Sequence, residues 1–276
     1  MKKQEGLYMI EKIISGGVVE RRKTKIYRRP AKRGGRIRGN SGEKKLLGNK
    51  ERAKLMLARE FNCNLSAGDL WLTATFSDEA LQRVGDNYEA AKKEGKKFIE
   101  RMAYRLKKMG IVCKWWLIPS VTDGDTREVV RPHVHIIITG EGFRMQDKQM
   151  YLGNELLSAI WGNGSVDVRF VRNQVDYYPL AAYIVNQARG AADEKKWTCS
   201  RNLKKPVVRR EIVTSGGQLR VPAGATELVG TKYDPEKNQN FVRYIPQKKD
   251  VSKKIGGHKE MALAMSVDTG GGMYGL

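Results

Sequence analysis

Arg131-Pro132-His133-Val134-His135-Ile136-Ile137-Ile138-Thr139 is the stretch on which the fold reading turns. It holds two of the chain's three histidines. Val134, Ile136 and Ile138 are β-branched and apolar, which suits a buried strand. Successive side chains of a strand alternate between its faces, so His133 and His135 share one face, with Cα atoms about 6–7 Å apart. Imidazoles so placed can grip one metal ion, while Val134 points into a core on the other side. The same pair also suits a hydrogen-bonded structural role.

The composition narrows the class of partner. Lys and Arg number 52 against 30 for Asp and Glu, a net charge of +22. Such an excess favours a polyanion, with nucleic acid ahead of an anionic membrane surface. No run of 18 or more apolar residues occurs, and no signal-peptide core begins the chain, so we expect no membrane association and a cytoplasmic site of action. Cys63, Cys113 and Cys199 are odd in number and widely spaced, which suggests reduced thiols and no cysteine-based zinc site.

Three regions are expected. Residues 1–44 read as a basic, flexible arm, with Arg21-Arg22-Lys23 and Lys32-Arg33-Gly34-Gly35-Arg36 available to track phosphates. Residues 45–206 read as the catalytic domain. An amphipathic helix runs to about Asn62, and Asp69 to Phe76 form a central strand followed by a turn that Ser77 caps. A helix spans 86–109 with Gly110 as its stop, and Ile111 to Ile118 form a strand that pairs with the histidine strand as a hairpin. A helix over 145–160, a short strand at Val166 to Phe170 and a helix from Pro179 to near Gly190 complete the order β-α-β-β-α-β-α. That order indicates an α+β class, an antiparallel β-sheet flanked by helices. Residues 207–276 read as a basic, partly ordered appendage with strand-like pieces at Val207-Val208 and Phe241-Val242.

Tyr183 and Gln187 on the last helix are four residues apart and lie on one face. A tyrosine hydroxyl can attack a phosphodiester and hold the 5′-phosphate covalently, given a divalent cation on the scissile phosphate. The Gln187 carboxamide can supply an oxygen ligand beside two histidines, a set that suits Mn²⁺ or Mg²⁺. Tyr183 alone is equally compatible with a half-buried helical tyrosine. Tyr178 precedes Tyr183 by five residues, off its helical face, with Pro179 between, which favours a single nucleophile. Arg131, Lys114, Arg201, Lys204 and Lys205 are the candidate DNA-backbone contacts, with Lys107 and Lys108 beside them. Trp115 and Trp116 alternate faces, so at most one stacks on a base.

The His133-Val134-His135 strand with a downstream tyrosine helix resembles the HUH endonucleases. Within that class the rolling-circle replication-associated (Rep) proteins of bacterial plasmids, phages and integrated elements are the nearest pattern. Leu70-Trp71-Leu72-Thr73-Ala74-Thr75-Phe76 resembles their first motif, and the run Ser200-Arg201-Asn202-Leu203-Lys204-Lys205-Pro206 adds support; the likeness spans residues 45 to 206. It implies an HUH/Rep-type nuclease with a ferredoxin- or RRM-like core, Tyr183 as nucleophile and His133 and His135 as metal ligands. Two departures matter. Asn186 stands where many Rep proteins carry a lysine, three residues after the tyrosine. Tyr183-Ile184-Val185-Asn186-Gln187 instead resembles the single-tyrosine insertion-sequence transposases, in which the glutamine completes the metal site. Rep relatives take an acidic third ligand near the position of Asp123, with Glu128 a weaker candidate, so the third ligand stays open.

The expected activity is metal-dependent nicking and joining of single-stranded DNA that initiates rolling-circle replication. The partners would be single-stranded or hairpin origin DNA in a bacterial or phage-infected cell. A host polymerase would extend the freed 3′ end. The pattern GxxxxGK[ST] is absent, so a host helicase would open the duplex. A transposase or relaxase would run the same chemistry on other DNA ends, and a non-catalytic DNA-binding protein would keep the histidines as structure.

Overall fold

The computed structural model describes residues 6–26, 43–122, 128–141, 154–187, 197–214, 216–234 and 239–247. They form two antiparallel five-stranded sheets with five described helices, an α+β architecture. Both sheets lie within the unit Met1–Pro246.

The sheet that carries the histidines contains β3 (Leu70–Phe76), β4 (Val112–Thr122), β5 (Val129–Glu141), β6 (Gly164–Phe170) and β7 (Thr198–Cys199), in the order β6-β3-β5-β4-β7. Alternation on β3 sets its two faces. Leu70, Leu72, Ala74 and Phe76 are buried, and Trp71, Thr73 and Thr75 turn the other way. The first face packs on α3 (Tyr88–Lys108) and α4 (Asn154–Trp161) through Phe98, Met102, Leu106, Leu157 and Trp161. α3 starts at Asn87, whose side chain accepts from the Ala90 amide at 2.9 Å. Gly95 lets α3 close on the sheet, because a Cβ there would sit 2.7 Å from Leu117 Cδ1. Ser77 caps a short helix, α2 (Asp78–Val84), where the sequence suggested only a turn.

The opposite face is covered by α1 (Glu43–Asn64) and α5 (Tyr178–Gln187). Leu57, Ala58 and Phe61 of α1, with Ala181, Ile184 and Val185 of α5, bury Trp116, Ile118 and Ile137. The expected helix over 145–160 is present as Asn154–Trp161, its earlier part lying outside the described residues. Trp115 and Trp116 do face opposite ways, and both go to packing: Trp116 is fully buried and Trp115 is partly buried against the first core.

The second sheet corrects the reading of residues 1–44 as a flexible arm and of 207–276 as an appendage. β1 (Tyr8–Ser15) and β2 (Val18–Lys25) form a hairpin. They join β8 (Val207–Val213), β9 (Thr226–Asp234) and β10 (Gln239–Ile245) in the order β8-β1-β2-β10-β9. Gly16 and Gly17 make the two-residue turn between the paired Ser15 and Val18. Gly16 has φ +54°, and a Cβ there would lie 2.1 Å from the Asn62 carbonyl oxygen, so only glycine permits the hairpin to sit on the end of α1. One face of this sheet forms a small core from Ile10, Val19, Val242 and Tyr244, roofed by Leu219. The other face docks on α1, where Arg59 pairs with Glu20, and on the segment before α5, where Arg243 pairs with Asp176. Residues 1–5, 27–42 and 248–276 lie outside the described residues.

Candidate active site

Pairing on both sides of β3 builds the site. Thr73 opposes His135 on β5 and Asp167 on β6, and Thr75 opposes His133 and Ser165. Across β5, His133 opposes Ser120 and His135 opposes Ile118. Opposed residues share a face of the sheet. The rows Ser165–Thr75–His133–Ser120 and Asp167–Thr73–His135–Ile118 therefore lie on the face covered by α1 and α5, beside their apolar contacts.

The two histidine rings are 4.8 Å apart, centre to centre. His133 Nδ1 lies 2.9 Å from the Arg131 carbonyl oxygen. A carbonyl only accepts, so the neutral ring carries its proton on Nδ1 and keeps its lone pair on Nε2. His135 is 7% exposed, and its Nδ1 shares a hydrogen bond of 3.2 Å with Thr73 Oγ1. Thr73 Oγ1 also accepts from Trp71 Nε1 at 3.4 Å. The Trp71 ring centre lies 5.3 Å from His135 and 6.0 Å from Tyr183, so one indole bridges the histidine strand and the tyrosine helix.

A cleft of about 490 Å³ is lined by Trp71, Thr73, His135, Asp167, Arg169, Arg172, Gln174 and Tyr183, among others. Tyr183 is 51% exposed. Its neighbours Ala181, Ile184 and Val185 take the buried face of α5, and the helical period leaves Tyr183 to point outward. The other tyrosines are held by structure. Tyr177 is 3% exposed and donates to the Arg172 carbonyl at 3.4 Å. Tyr178 donates to Glu51 at 3.1 Å and lies under the Arg243 guanidinium. Burial first, then the charge and hydrogen bond of Glu51, push the Tyr178 hydroxyl above its ordinary pKa, and burial does the same to Tyr177.

The remaining sequence candidates scatter. Gln187 is the last residue of α5, with its side chain outside the described set, and Asp123 lies outside it altogether. Glu128 is exposed just before β5. Among the described residues no group of three or more His, Cys, Asp or Glu side chains is placed to hold a metal ion. Arg131 staples the start of β5 to α2: Nε donates to the Phe76 carbonyl and Nη2 to Asp78, each at 2.6 Å. Lys114 is only 9% exposed and pairs across with Thr139, so it does not line an open groove. Arg201, Lys204 and Lys205 are exposed. Asn64 holds the Lys204 backbone through both its amide groups, and Asn202 reaches the Cys113 carbonyl. That end of β4 is five residues from Ile118, roughly 17 Å along the strand from the histidine rows. The sequence reading omitted Asp167 and Arg169, which are paired at 3.0 Å on the cleft wall. The alternation of β6 put both on one face, but not beside β3.

Residues 69–188 match the family of replication-associated proteins of the ORF2 type. No curated protein matches the chain. Among solved structures, the N-terminal nuclease domain of non-structural protein 1 of minute virus of mice is 12% identical, with 76% of this chain and 74% of that chain covered and a TM-score of 0.20. That viral domain has Zn²⁺ coordination in its active-site pocket and recognises DNA at the origin of replication. The match over residues 69–188 takes in the Thr73 strand, the histidine strand and the Tyr183 helix together, and this part of the chain is a Rep domain of the ORF2-type replication-associated family.

Proposed function

We propose that the cleft between β3, β6 and α5 nicks and rejoins single-stranded DNA with Tyr183 as the nucleophile, and that this starts rolling-circle replication. The observation that carries the reading is the meeting of Tyr183 and His135 on one cleft wall, bridged by Trp71. The Tyr183 oxygen bonds to phosphorus as its proton leaves. The phosphorus–O3′ bond breaks, and the departing oxygen takes up a proton to become a free 3′-OH for a polymerase. The 5′ end stays on Tyr183 as a phosphotyrosine, which conserves the ester energy, and a later 3′-OH reverses the step. Arg169 and Arg172 supply positive charge on the cleft wall for the phosphates.

The donor chemistry fits a divalent ion, Mn²⁺ or Mg²⁺. His133 and His135 are adjacent and each is held through Nδ1, which presents Nε2 for ligation. Gln187, Asp123 or Glu128 would complete the set. When bound, such an ion offsets charge on the scissile phosphate and aligns the leaving oxygen. Thr73→Val removes the hydroxyl that orients His135. It should raise the Mn²⁺ concentration needed for half-maximal adduct formation by about 10–100-fold; an unchanged metal requirement would free Thr73 of that role.

The test is incubation of labelled single-stranded oligonucleotides, including the native element's origin, with the protein and Mn²⁺. Denaturing gels then follow, with peptide mapping of any adduct. A DNA-linked peptide containing Tyr183 is expected. Binding of origin DNA without any covalent product would sink the reading in favour of a non-catalytic DNA-binding protein.

A further inference from the structure

The second sheet holds a row of uncompensated cations. Arg209 on β8 opposes Lys12 on β1, and Lys12 opposes Arg21 on β2. The three side chains share one face and line a cleft of about 450 Å³ with Ile10, Glu211 and Tyr244. Like charges directly opposed across strands cost stability. The protein has carboxylates to spare nearby, since Glu11 pairs with Arg210 and Glu20 with Arg59 on the sheet's other face. Yet among the described residues none of Lys12, Arg21 and Arg209 forms an ion pair. A row that repels itself and opens on a cleft suits a ligand that brings several negative charges at once.

We propose that Arg209, Lys12 and Arg21 form a second DNA site, separate from the tyrosine cleft, that grips the phosphate backbone of duplex DNA. The spacing suits that ligand. Three adjacent strands span about 10 Å, and one strand of a duplex presents a phosphate every 3.4 Å or so along its axis. The lining also argues against a single strand, whose binding leans on aromatic stacking. Tyr244, the one aromatic in the cleft wall, is 5% exposed and belongs to the small core. Charge without a stacking platform is the chemistry of backbone contact alone. The site would anchor the unmelted DNA beside the strand held in the catalytic cleft. It rests on DNA being the partner of this chain, but not on the tyrosine chemistry.

The test compares the full chain with Lys12→Gln/Arg21→Gln/Arg209→Gln by fluorescence anisotropy on a blunt 20-base-pair duplex of arbitrary sequence, across a salt series. The slope of log K against log[salt] should flatten by about 2 to 3, roughly 0.9 for each phosphate that is no longer neutralised, with binding weakened at least tenfold near 0.1 M salt. Arg21→Lys/Arg209→Lys should keep most of the slope, and Glu211→Gln should tighten binding. Thermal unfolding of the triple variant should be unchanged or improved, because repulsion is relieved. Nicking of a short single-stranded oligonucleotide should be retained, which separates this site from the catalytic reading. An unaltered duplex slope overturns the proposal. An equal loss on a single-stranded homopolymer overturns the assignment to duplex.

Discussion

Tyr183→Phe should lower formation of the covalent DNA adduct by at least about 10⁴-fold, the scale seen when a covalent nucleophile is removed. Binding of the same oligonucleotide should change little. The substitution deletes one oxygen from a side chain that is already half in solvent, and the ring contact with Trp71 survives. The matched control is Tyr178→Phe. That change removes a hydrogen bond to the mostly exposed Glu51, costing about 1 kcal/mol of stability, and should leave adduct formation within a few-fold. Reversal of that order, with Tyr178→Phe inactive and Tyr183→Phe active, would move the nucleophile to the start of α5. The structure argues against such a swap: the Tyr178 hydroxyl is engaged by a carboxylate and held protonated, whereas Tyr183 opens on the cleft that also contains His135.

The second large effect is on stability. Arg243→Met should destabilise the chain by about 3–5 kcal/mol, read from urea unfolding. The Arg243 side chain is 3% exposed, and it is held between Glu20, at 2%, and Asp176, at 15%. Removing the cation leaves two acids facing each other with little water. Asp176 also receives the Tyr178 amide at 2.9 Å, so it caps α5 and fixes where the tyrosine helix begins. The same variant should therefore depress adduct formation beyond what its unfolded fraction accounts for, at temperatures where it is folded. Asp176→Asn keeps a cap but loses the ion pair, and should be intermediate in both measurements. Wild-type stability in Arg243→Met would mean that the second sheet is not docked through this cluster.

These outcomes bear on how the site is assembled. The catalytic sheet supplies the histidines and the cleft wall, while the entry to α5 is tied to the second sheet through Asp176 and Arg243. Damage far along the chain, at β10, is thereby linked to the setting of Tyr183 on α5.

Much of the site was legible because it is local. Alternation alone put His133 and His135 on one face, and the period of α5 alone set Tyr183 apart from Tyr178. Those inferences need only the strand and helix repeats, which every residue of an element obeys. The central strands, the long helix α3 and the α+β class came from the same source. The basic residues were less legible. Arg131, Lys114, Arg201, Lys204 and Lys205 all carry the right charge for DNA. Charge, however, does not tell an exposed lysine from a buried one, or from an arginine stapled to a carbonyl. Asp167 and Trp71 entered the site only when β6 and β3 paired, and nothing in either segment names its partner.

The second sheet was missed for the same physical reason. Its strands come from residues 8–25 and 207–245, and each segment by itself is short, charged and rich in turn residues. The Gly16-Gly17 turn was a hairpin signal, but a lone hairpin is at best marginally stable in water. Only closure of the long loop between β2 and β8, with the Arg59–Glu20 and Arg243–Asp176 pairs as anchors, makes five strands from those pieces. The sequence by itself determined the periodic elements and the residue types able to do phosphodiester chemistry, because repeat and composition are carried by neighbours in the chain. The tertiary structure decided which of those residues meet, because contact across strands and between sheets depends on the packing of segments that carry no record of one another.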